Sequence, residues 1–207
     1  MTASEPQPAA PYAKLRWYQF RLRSLFLLTL LVAIGMSWLA VTIQNQRKQK
    51  AAAEEIEKAG GWVKSEPTWL GKLLRDDSLV SVTVVGLAPG SVTDTEIASL
   101  QGLNRLRSVQ LNHTSVGDAG LVYLRGLSQL RDLYLSDTEI TDTGLENLRG
   151  LTQLDSLWLD GTRVTDAGLV HLQGLSQLQW LYLSDTKVTD QGVKKLQQTL
   201  PNCEIKR

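Results

Sequence analysis

The sequence predicts an α/β solenoid, with a parallel inner sheet and short outer helices, preceded by one long apolar helix. Two observations predict this architecture. A 24-residue period runs without a break from Leu79 to Gln198 and gives five similar units. An uncharged stretch of 20 residues, 24–43, comes before them. Units of this length bury their apolar faces only against their neighbours, so they must stack into a solenoid.

Residues 24–43 are predicted to form a transmembrane helix. The stretch is rich in Leu, Val and Ile and is long enough to cross a hydrocarbon core about 30 Å thick. Trp17 and Trp38 lie near its two ends, where aromatic side chains often meet the membrane–water interface. A core helix of a soluble domain is not usually apolar on all sides. Basic residues flank the stretch on both sides: Arg21, Arg23, Arg47, Lys48 and Lys50.

A cleaved signal peptide is the alternative interpretation of this segment. Ala33 and Gly35 form a small-x-small pattern, but apolar residues continue beyond it, which favours an uncleaved anchor. Basic residues are balanced on the two sides, so they do not decide the orientation. The Pro/Ala-rich tail, residues 1–23, is predicted to be basic and disordered. The simpler arrangement keeps this tail inside, with the repeat domain on the non-cytoplasmic side of the membrane.

Two segments are predicted between the anchor and the repeats. Residues 44–61 are interpreted as a polar, helical juxtamembrane stalk that ends at a glycine pair. Residues 62–78 are interpreted as an N-terminal cap that contains a strand and an amphipathic helix. Because a solenoid must cover its open ends, we expect Trp62 and Trp69 to belong to the core of this cap.

The units within residues 79–198 share the pattern LxxLxxLxLxxTxVTDxGLxxLxG, of which the unit that begins at Leu79 is a more degenerate copy. In the unit that begins at Leu151, Leu157 and Leu159 frame a short strand. Leu169 and Leu172 lie three residues apart and mark one face of a short outer helix. The final segment, residues 199–207, alternates in polarity and is predicted to be a C-terminal cap with a last partial strand.

Two polar columns recur with the period. Threonine follows each of four strands, where its hydroxyl can bond to backbone groups left unpaired at the turn: Thr114, Thr138, Thr162 and Thr186. Aspartate precedes each outer helix, where it is predicted to accept backbone N–H bonds as an N-cap: Asp94, Asp118, Asp142, Asp166 and Asp190. Residues 93–96 also match a capping box. A stack of carboxylates that holds calcium is the alternative for the second column.

The stretches LRDLYLSDTEI and LDSLWLDGTRV resemble the LxxLxLxxNxL signature of leucine-rich repeat proteins, with Thr138 and Thr162 in place of the usual Asn. The tail VTDAGLVHLQG is similar to the ITDxGL subtype of F-box-associated repeats. The layout of an apolar helix followed by these repeats is similar to membrane-anchored repeat proteins of planctomycete bacteria. The resemblance implies a leucine-rich repeat solenoid and a non-enzymatic protein whose ligand is generally unassigned.

Composition and motifs exclude several functional classes. Residues 76–207 carry 11 Lys and Arg against 16 Asp and Glu, a net charge of −5, which argues against nucleic acid as a partner. His113 and His171 occupy different places in the repeat, and neither has a nucleophile or metal ligand at an interpretable spacing. The single cysteine, Cys203, is interpreted as a small core residue. We therefore predict no enzyme activity, no cofactor and no metal.

The solvent-facing side of the inner sheet, here called the concave face, carries the candidate binding residues. The position between the two strand leucines holds Gly86, Gln110, Tyr134, Trp158 and Tyr182 in successive units. Neighbouring strands lie about 4.8 Å apart, so the three aromatic rings are expected to be exposed and to stack into a ladder. Trp180 lies two residues before Tyr182 and therefore on the same face. Charged residues flank the column: Arg107, Arg131, Asp132, Asp155 and Asp160.

Exposed aromatic side chains surrounded by charges are typical of a binding patch. The sequence therefore predicts a single-pass membrane protein that presents a recognition surface to a protein or peptide ligand. A glycan is the second candidate ligand, because aromatic faces also suit sugar rings. A structural cell-envelope protein without a specific ligand, in which the rings only shield the sheet, is the competing class.

Overall fold

The computed structural model describes residues 12–76, 79–90 and 92–207, and it describes side chains from residue 25 onward. The chain divides into two compact units, Met1–Asn45 and Gln46–Arg207. The second unit contains the repeats.

Helix α1 spans Tyr12–Lys58. Among the described residues it is the one helix that is long and apolar enough to cross a membrane, and none of its most apolar window is buried. Its exposed leucines distinguish it from the core helix of a soluble protein, whereas a membrane anchor and a signal sequence share these properties. Of the predicted disordered tail, residues 1–11 lie outside the described residues. From Tyr12 the backbone is helical, because no Pro or Gly interrupts residues 12–23.

The last turns of α1 pack on the solenoid instead of forming a free stalk. Ala53 and Ile56 are buried in the repeat core. Gln46 is also buried, and Gln49 accepts a hydrogen bond from the backbone N–H of Val82 at 3.1 Å. The four α1 residues are spaced by three or four and therefore share one helix face. This segment, predicted as a stalk, is part of the N-terminal cap.

One sheet of seven strands runs through the second unit in the order of the sequence. Strand β1 pairs with β2 in antiparallel orientation, and all later pairs are parallel. From β2 onward, residues 24 apart lie opposite each other, which is the spacing of the sequence period. The strands are β1 (Trp62–Pro67), β2 (Val80–Gly86), β3 (Ser108–Gln110), β4 (Asp132–Tyr134), β5 (Ser156–Trp158), β6 (Trp180–Tyr182) and β7 (Glu204–Lys206).

Short helices pack on the other side of the core. Helices α3, α4 and α5 each continue into a 3-10 turn, and the fourth unit has only a 3-10 turn, Gly168–His171. The remaining bounds are α2 (Trp69–Leu74), α3 (Asp94–Ile97), α4 (Asp118–Leu121), α5 (Asp142–Leu145) and α6 (Asp190–Thr199). The repeated leucines from both layers form one buried core. The predicted α/β solenoid with an N-terminal helix is confirmed.

The threonine column closes the turn after each strand. Each hydroxyl donates to the carbonyl three residues earlier, at distances of 2.6 to 2.7 Å from Thr114, Thr138, Thr162 and Thr186. The first three threonines are buried. Their bonds satisfy strand-end carbonyls that the parallel ladder leaves free, as the sequence predicts.

The aspartate column joins neighbouring units, which differs from its predicted role as an N-cap. Asp118 accepts hydrogen bonds from the backbone N–H and the hydroxyl of Thr141, at 2.8 and 2.5 Å. Asp142 and Asp166 repeat this pair of bonds one and two units further on. The aspartates are the first residues of α3 to α6 in four units, so the cap position is the residue before them. These carboxylates are therefore bound to N–H and O–H donors, an arrangement that differs from a calcium site.

The glycine two residues after four of the five aspartates makes room for the carboxylate of the preceding unit. A Cβ atom on Gly120 would lie 2.6 Å from an Asp94 oxygen. Gly144, Gly168 and Gly192 meet the aspartate of their preceding unit in the same way. Since real Cβ atoms do not approach oxygen so closely, the D-x-G spacing of the repeat is a packing requirement between units.

Both ends of the aspartate column have additional partners. At the first helix, the predicted capping box between Thr93 and Glu96 is present. The hydroxyl and the backbone N–H of Thr93 donate to Glu96 and lower the pKa of Glu96 to about 2. At the last helix, Asp190 pairs with Arg207 at 3.1 Å, and Arg207 also donates to the carbonyl of Val188. The C-terminal strand therefore closes the stack.

The two cap tryptophans are not core residues, so this prediction was wrong. Trp62 is 48% exposed and Trp69 is 58% exposed. In helix α2, Leu70 and Gly71 face the core, because the backbone of α2 passes close to Leu79 and only a glycine fits there. The sequence predicts an amphipathic helix with Trp69, Leu70, Leu73 and Leu74 on one face, but of these four only Leu70 is buried.

Candidate functional site: the aromatic stack on the concave face

Three aromatic rings form a continuous stack across β4, β5 and β6. The ring centres of Tyr134 and Trp158 lie 3.9 Å apart with an interplanar angle of 11°. Those of Trp158 and Tyr182 lie 5.1 Å apart at 5°. The in-register parallel pairing of the three strands places the rings in one column. The spacing follows directly from the distance between neighbouring strands.

The stack presents ring edges to solvent. Because the rings are nearly parallel and cover one another, their faces point along the column and their edges point into the space above the sheet. The rings are half-buried, less exposed than expected, since each shields its neighbour. Ring edges carry partial positive charge, so they favour carbonyl oxygens and apolar groups over a second flat face. Burial raises the pKa of Tyr134, with smaller contributions from Asp132 and Tyr182.

A lysine that the sequence interpretation missed closes the stack at its C-terminal end. The ammonium of Lys206 lies 5.2 Å from the ring centre of Tyr182 and 5.4 Å from that of Trp180. Both distances fit cation–π contacts. They also confirm that Trp180 shares the face of Tyr182. Lys206 lies 24 residues after Tyr182, so the period itself contained the signal.

At the N-terminal end the column is covered by Trp62. A Cβ on Gly86 would overlap the indole nitrogen of Trp62, so the indole occupies the place of the missing side chain. The neighbours Val85 and Leu87 are buried in the core, which puts this indole on the concave face. From the N-terminal to the C-terminal end of the sheet, the column therefore consists of Trp62 packed over Gly86, then Gln110, the three stacked aromatic rings and Lys206.

An acidic depression borders the stack where β4 and β5 begin. Its lining is polar and consists of Arg131, Asp132, Gln153, Asp155, Gln177 and Gln179. Burial and the nearby Asp155 raise the pKa of Asp132 above its usual value, and Arg131 opposes the shift. Two carboxylates that repel each other form a site where an added cation is favourable.

The remaining predicted site residues have different surroundings. Arg107 and Arg131 are exposed beside the strand starts. Asp160 lies at the strand ends and is engaged in the fold, since it accepts from the backbone N–H of Ser184 at 2.8 Å and from the hydroxyl of Ser136 at 3.3 Å. The structure therefore brings Asp132 and Asp155 together with the ring stack and assigns Asp160 to the solenoid turns.

The two histidines have partners that spacing arguments overlooked. Nδ1 of His113 lies 3.1 Å from a carboxylate oxygen of Asp137, which occupies the same position in the next unit. His171 contacts the guanidinium of Arg149, at 2.9 Å from Nε of Arg149. All four side chains lie in exposed or half-exposed positions, so solvent screens these pairs.

Comparison with known proteins identifies the class of fold. A family model described as Leucine Rich repeat matches residues 127–148. An internalin from Listeria monocytogenes is 24% identical with a TM-score of 0.50, and the match covers 58% of this chain and 34% of the internalin. A second internalin, C2, from the same organism is 32% identical with a TM-score of 0.45, and the match covers 52% of this chain and 44% of that protein.

The leucine-rich repeat ectodomain of the receptor kinase SOBIR1 from Arabidopsis thaliana is 16% identical with a TM-score of 0.49. That match covers 76% of this chain and 90% of the ectodomain. None of the curated proteins compared with the chain matches it. The chain spans about a third of the first internalin, so this likeness concerns the fold alone. The fold is a leucine-rich repeat solenoid.

Proposed function

We propose that this protein is a single-pass, membrane-anchored recognition module that binds a protein or peptide ligand through the concave face. Leucine-rich repeat domains generally bind proteins or peptides. The observation that carries the proposal is the half-exposed stack of Tyr134, Trp158 and Tyr182 at the centre of the sheet. Aromatic side chains at the centre of a surface are frequent anchors of binding energy.

The orientation of the rings favours a peptide over a glycan. A sugar ring packs its apolar side on the open face of an aromatic ring. In the stack the inner faces are covered by other rings, and the outer face of Tyr182 is approached by Lys206. The edges that remain suit backbone carbonyls and apolar side chains of an extended peptide.

The charge of the surface indicates a basic ligand. The depression next to the stack holds Asp132 and Asp155, and residues 76–207 carry a net charge of −5. A cationic side chain placed there would offset the burial and the repulsion by Asp155 that raise the pKa of Asp132. We therefore propose a ligand that combines an apolar residue above the stack with a Lys or Arg in the depression. The competing class remains a structural envelope protein without a ligand.

The anchor part of the proposal concerns residues 24–43. It is supported by the exposed apolar side chains of α1 and by the basic residues on both sides of the segment. The full chain should sediment with membranes and resist carbonate extraction. Mature protein that starts at Met36 would instead identify a cleaved signal peptide. Protease added to intact spheroplasts should degrade the repeat domain if it lies on the non-cytoplasmic side.

Photo-crosslinking of the full chain in membranes tests the recognition surface. A photoreactive residue at Gln110, next to Tyr134 in the column, should give a discrete adduct. The matched position Lys194, exposed on outer helix α6, should give none. Identical patterns at the two positions would favour the structural class.

A further inference from the structure

Helix α2 displays an apolar surface outside the concave face. Trp69, Leu73 and Leu74 are 58%, 68% and 51% exposed. Trp69 and Leu73 lie one turn apart on the same side of the helix, and Leu74 is the last residue of the helix, directly after Leu73. Large apolar side chains clustered on a soluble surface indicate a contact that is missing from the isolated chain.

The fold holds this helix in a fixed orientation. Leu70 is buried, and the backbone at Gly71 lies against Leu79 so closely that an added Cβ would meet its carbonyl at 2.7 Å. Thr68 caps the helix by accepting from the N–H of Gly71 at 3.1 Å. The burial of Leu70 and the close contact at Gly71 therefore fix the position of α2, while Trp69, Leu73 and Leu74 stay exposed.

The helix is attached to α1 just after the apolar segment. Thr68 Oγ1 lies 2.9 Å from the side-chain oxygen of Gln46, and Asp76 pairs with Arg47 at 3.8 Å. Gln46 follows Ile43, the last residue of the segment, by three residues. Chain connectivity alone therefore keeps Gln46 within about 11 Å of Ile43. The headgroup region on each side of a bilayer is about 5–8 Å thick.

The charges around α2 suit anionic lipid. Lys72 and Arg75 are exposed on the helix and at its C-terminal cap, and Lys48 follows the Arg47 pair on α1. Asp76 is paired with Arg47, so its charge is partly compensated. Basic side chains beside Trp and Leu are the usual composition of helices that lie in the membrane interface.

We propose that α2 is a membrane-surface helix that inserts Trp69, Leu73 and Leu74 into the membrane interface. This inference rests on the anchor part of the proposed function. It assigns the exposed patch to lipid, which explains why the side chains that a cap would normally bury are turned outward.

Tryptophan quenching in vesicles tests the inference. Full-length protein is reconstituted in phosphatidylcholine and phosphatidylglycerol vesicles that contain lipid with a nitroxide near the headgroup. The fluorescence of the wild type is compared with Trp69→Phe, which keeps an apolar ring. Trp62→Phe is the matched control, because Trp62 belongs to the same cap and is similarly exposed. It lies at the far end of β1, about 17 Å of strand from Pro67.

The fluorescence lost on Trp69→Phe should be quenched, as is that of Trp17 and Trp38 at the ends of the anchor, whereas the fluorescence lost on Trp62→Phe should not be. The emission of Trp69 should also lie at shorter wavelength than that of Trp62. If the Trp69 contribution is unquenched while the remaining fluorescence is quenched, α2 is off the membrane and the anchor proposal still stands. If no part of the fluorescence is quenched, the anchor proposal and this inference both fail. Melting curves of both variants show whether the cap stays folded.

Discussion

At the residue scale, the solenoid depends on an aspartate in one unit and a glycine in the next. The carboxylate of Asp118 bonds to Thr141 and lies where a Cβ of Gly144 would be. The same pair recurs along the stack, so the two residue types are coupled through space at a separation of 26 positions. A change at either position acts on the contact between units more than on its own helix.

Gly144→Ala should destabilise the repeat domain by about 1–3 kcal/mol, because the new methyl group overlaps Asp118. In an Asp118→Ala background the same change should cost less, which a double-mutant cycle by urea unfolding measures. Gly150→Ala is the control. A methyl group there would meet no neighbouring atom and its φ is not positive, so stability should be unchanged or slightly higher. An equal cost at both glycines would contradict the coupling.

Asp132→Asn tests whether the negative charge of Asp132 in the acidic depression destabilises the fold. The pKa of Asp132 is raised in the folded state by burial and by Asp155, so ionisation of this group destabilises the fold. Its stabilising contribution is complete below the unfolded pKa of about 3.9 and is lost as the pH rises through the folded value. Urea unfolding should therefore show the variant more stable than the wild type at pH 7. The difference should shrink toward pH 3, and a loss of stability at pH 7 would contradict the account.

Residue positions on the sheet were predictable because the period is strict. Counting by 24 from Tyr134 correctly places Trp158 and Tyr182 in one column, and the same count reaches Lys206. The role of the aspartates was not predictable. An aspartate at this place can serve either as an N-cap of its own helix or as a hydrogen-bond acceptor for the next unit. Only the folded structure shows that Asp118 accepts from Thr141 of the next unit.

At the element scale, each 24-residue unit is interchangeable with its neighbours. Strand pairing, the threonine turn bonds and the aspartate bonds all repeat with the unit, so every interface between central units uses the same contacts. Stability in such a stack is approximately a sum over units and nearest-neighbour interfaces.

Deletion of Leu127–Gly150 should leave a folded, shorter solenoid. Asp118 would then face Thr165 and Gly168 in place of Thr141 and Gly144, and these are residues of the same types. Deletion of residues 127–138 alone should abolish cooperative melting, because half a unit sets a strand against a helix. Circular dichroism melting of the two deletions distinguishes them. A cooperative transition in the half-unit deletion would show that the repeat frame is wrong.

The caps were less predictable than the repeats, because they occur only once and have no period to compare. Helix α2 has six residues, too few for a sequence pattern to show which of them face the core. The packing of α2 is determined by the close contact between the backbone of Gly71 and Leu79. In the second half of α1, Ile56 is the one large apolar residue between Gln44 and Lys58. Polar composition therefore concealed a buried helix face.

At the scale of the whole molecule, charge and apolar surface are separated along the chain. The basic residues concentrate around the apolar helix, whereas residues 76–207 are acidic with a net charge of −5. This separation suits a protein that meets anionic lipid at one end and a basic ligand on its repeats. Fold and charge are thus consistent with a surface for recognition whose centre is the ring stack.

Titration of the crosslinked partner with two variants tests that central claim most directly. Trp158→Ala removes the middle ring and both of its stacking contacts, which should cost about 1–3 kcal/mol of stability. Binding should weaken about thirtyfold or more, equivalent to about 2 kcal/mol, while Lys194→Ala on the outer helix should bind as the wild type does. Both variants are assayed well below their melting temperatures. Equal Kd values for Trp158→Ala and Lys194→Ala would contradict recognition by the aromatic stack.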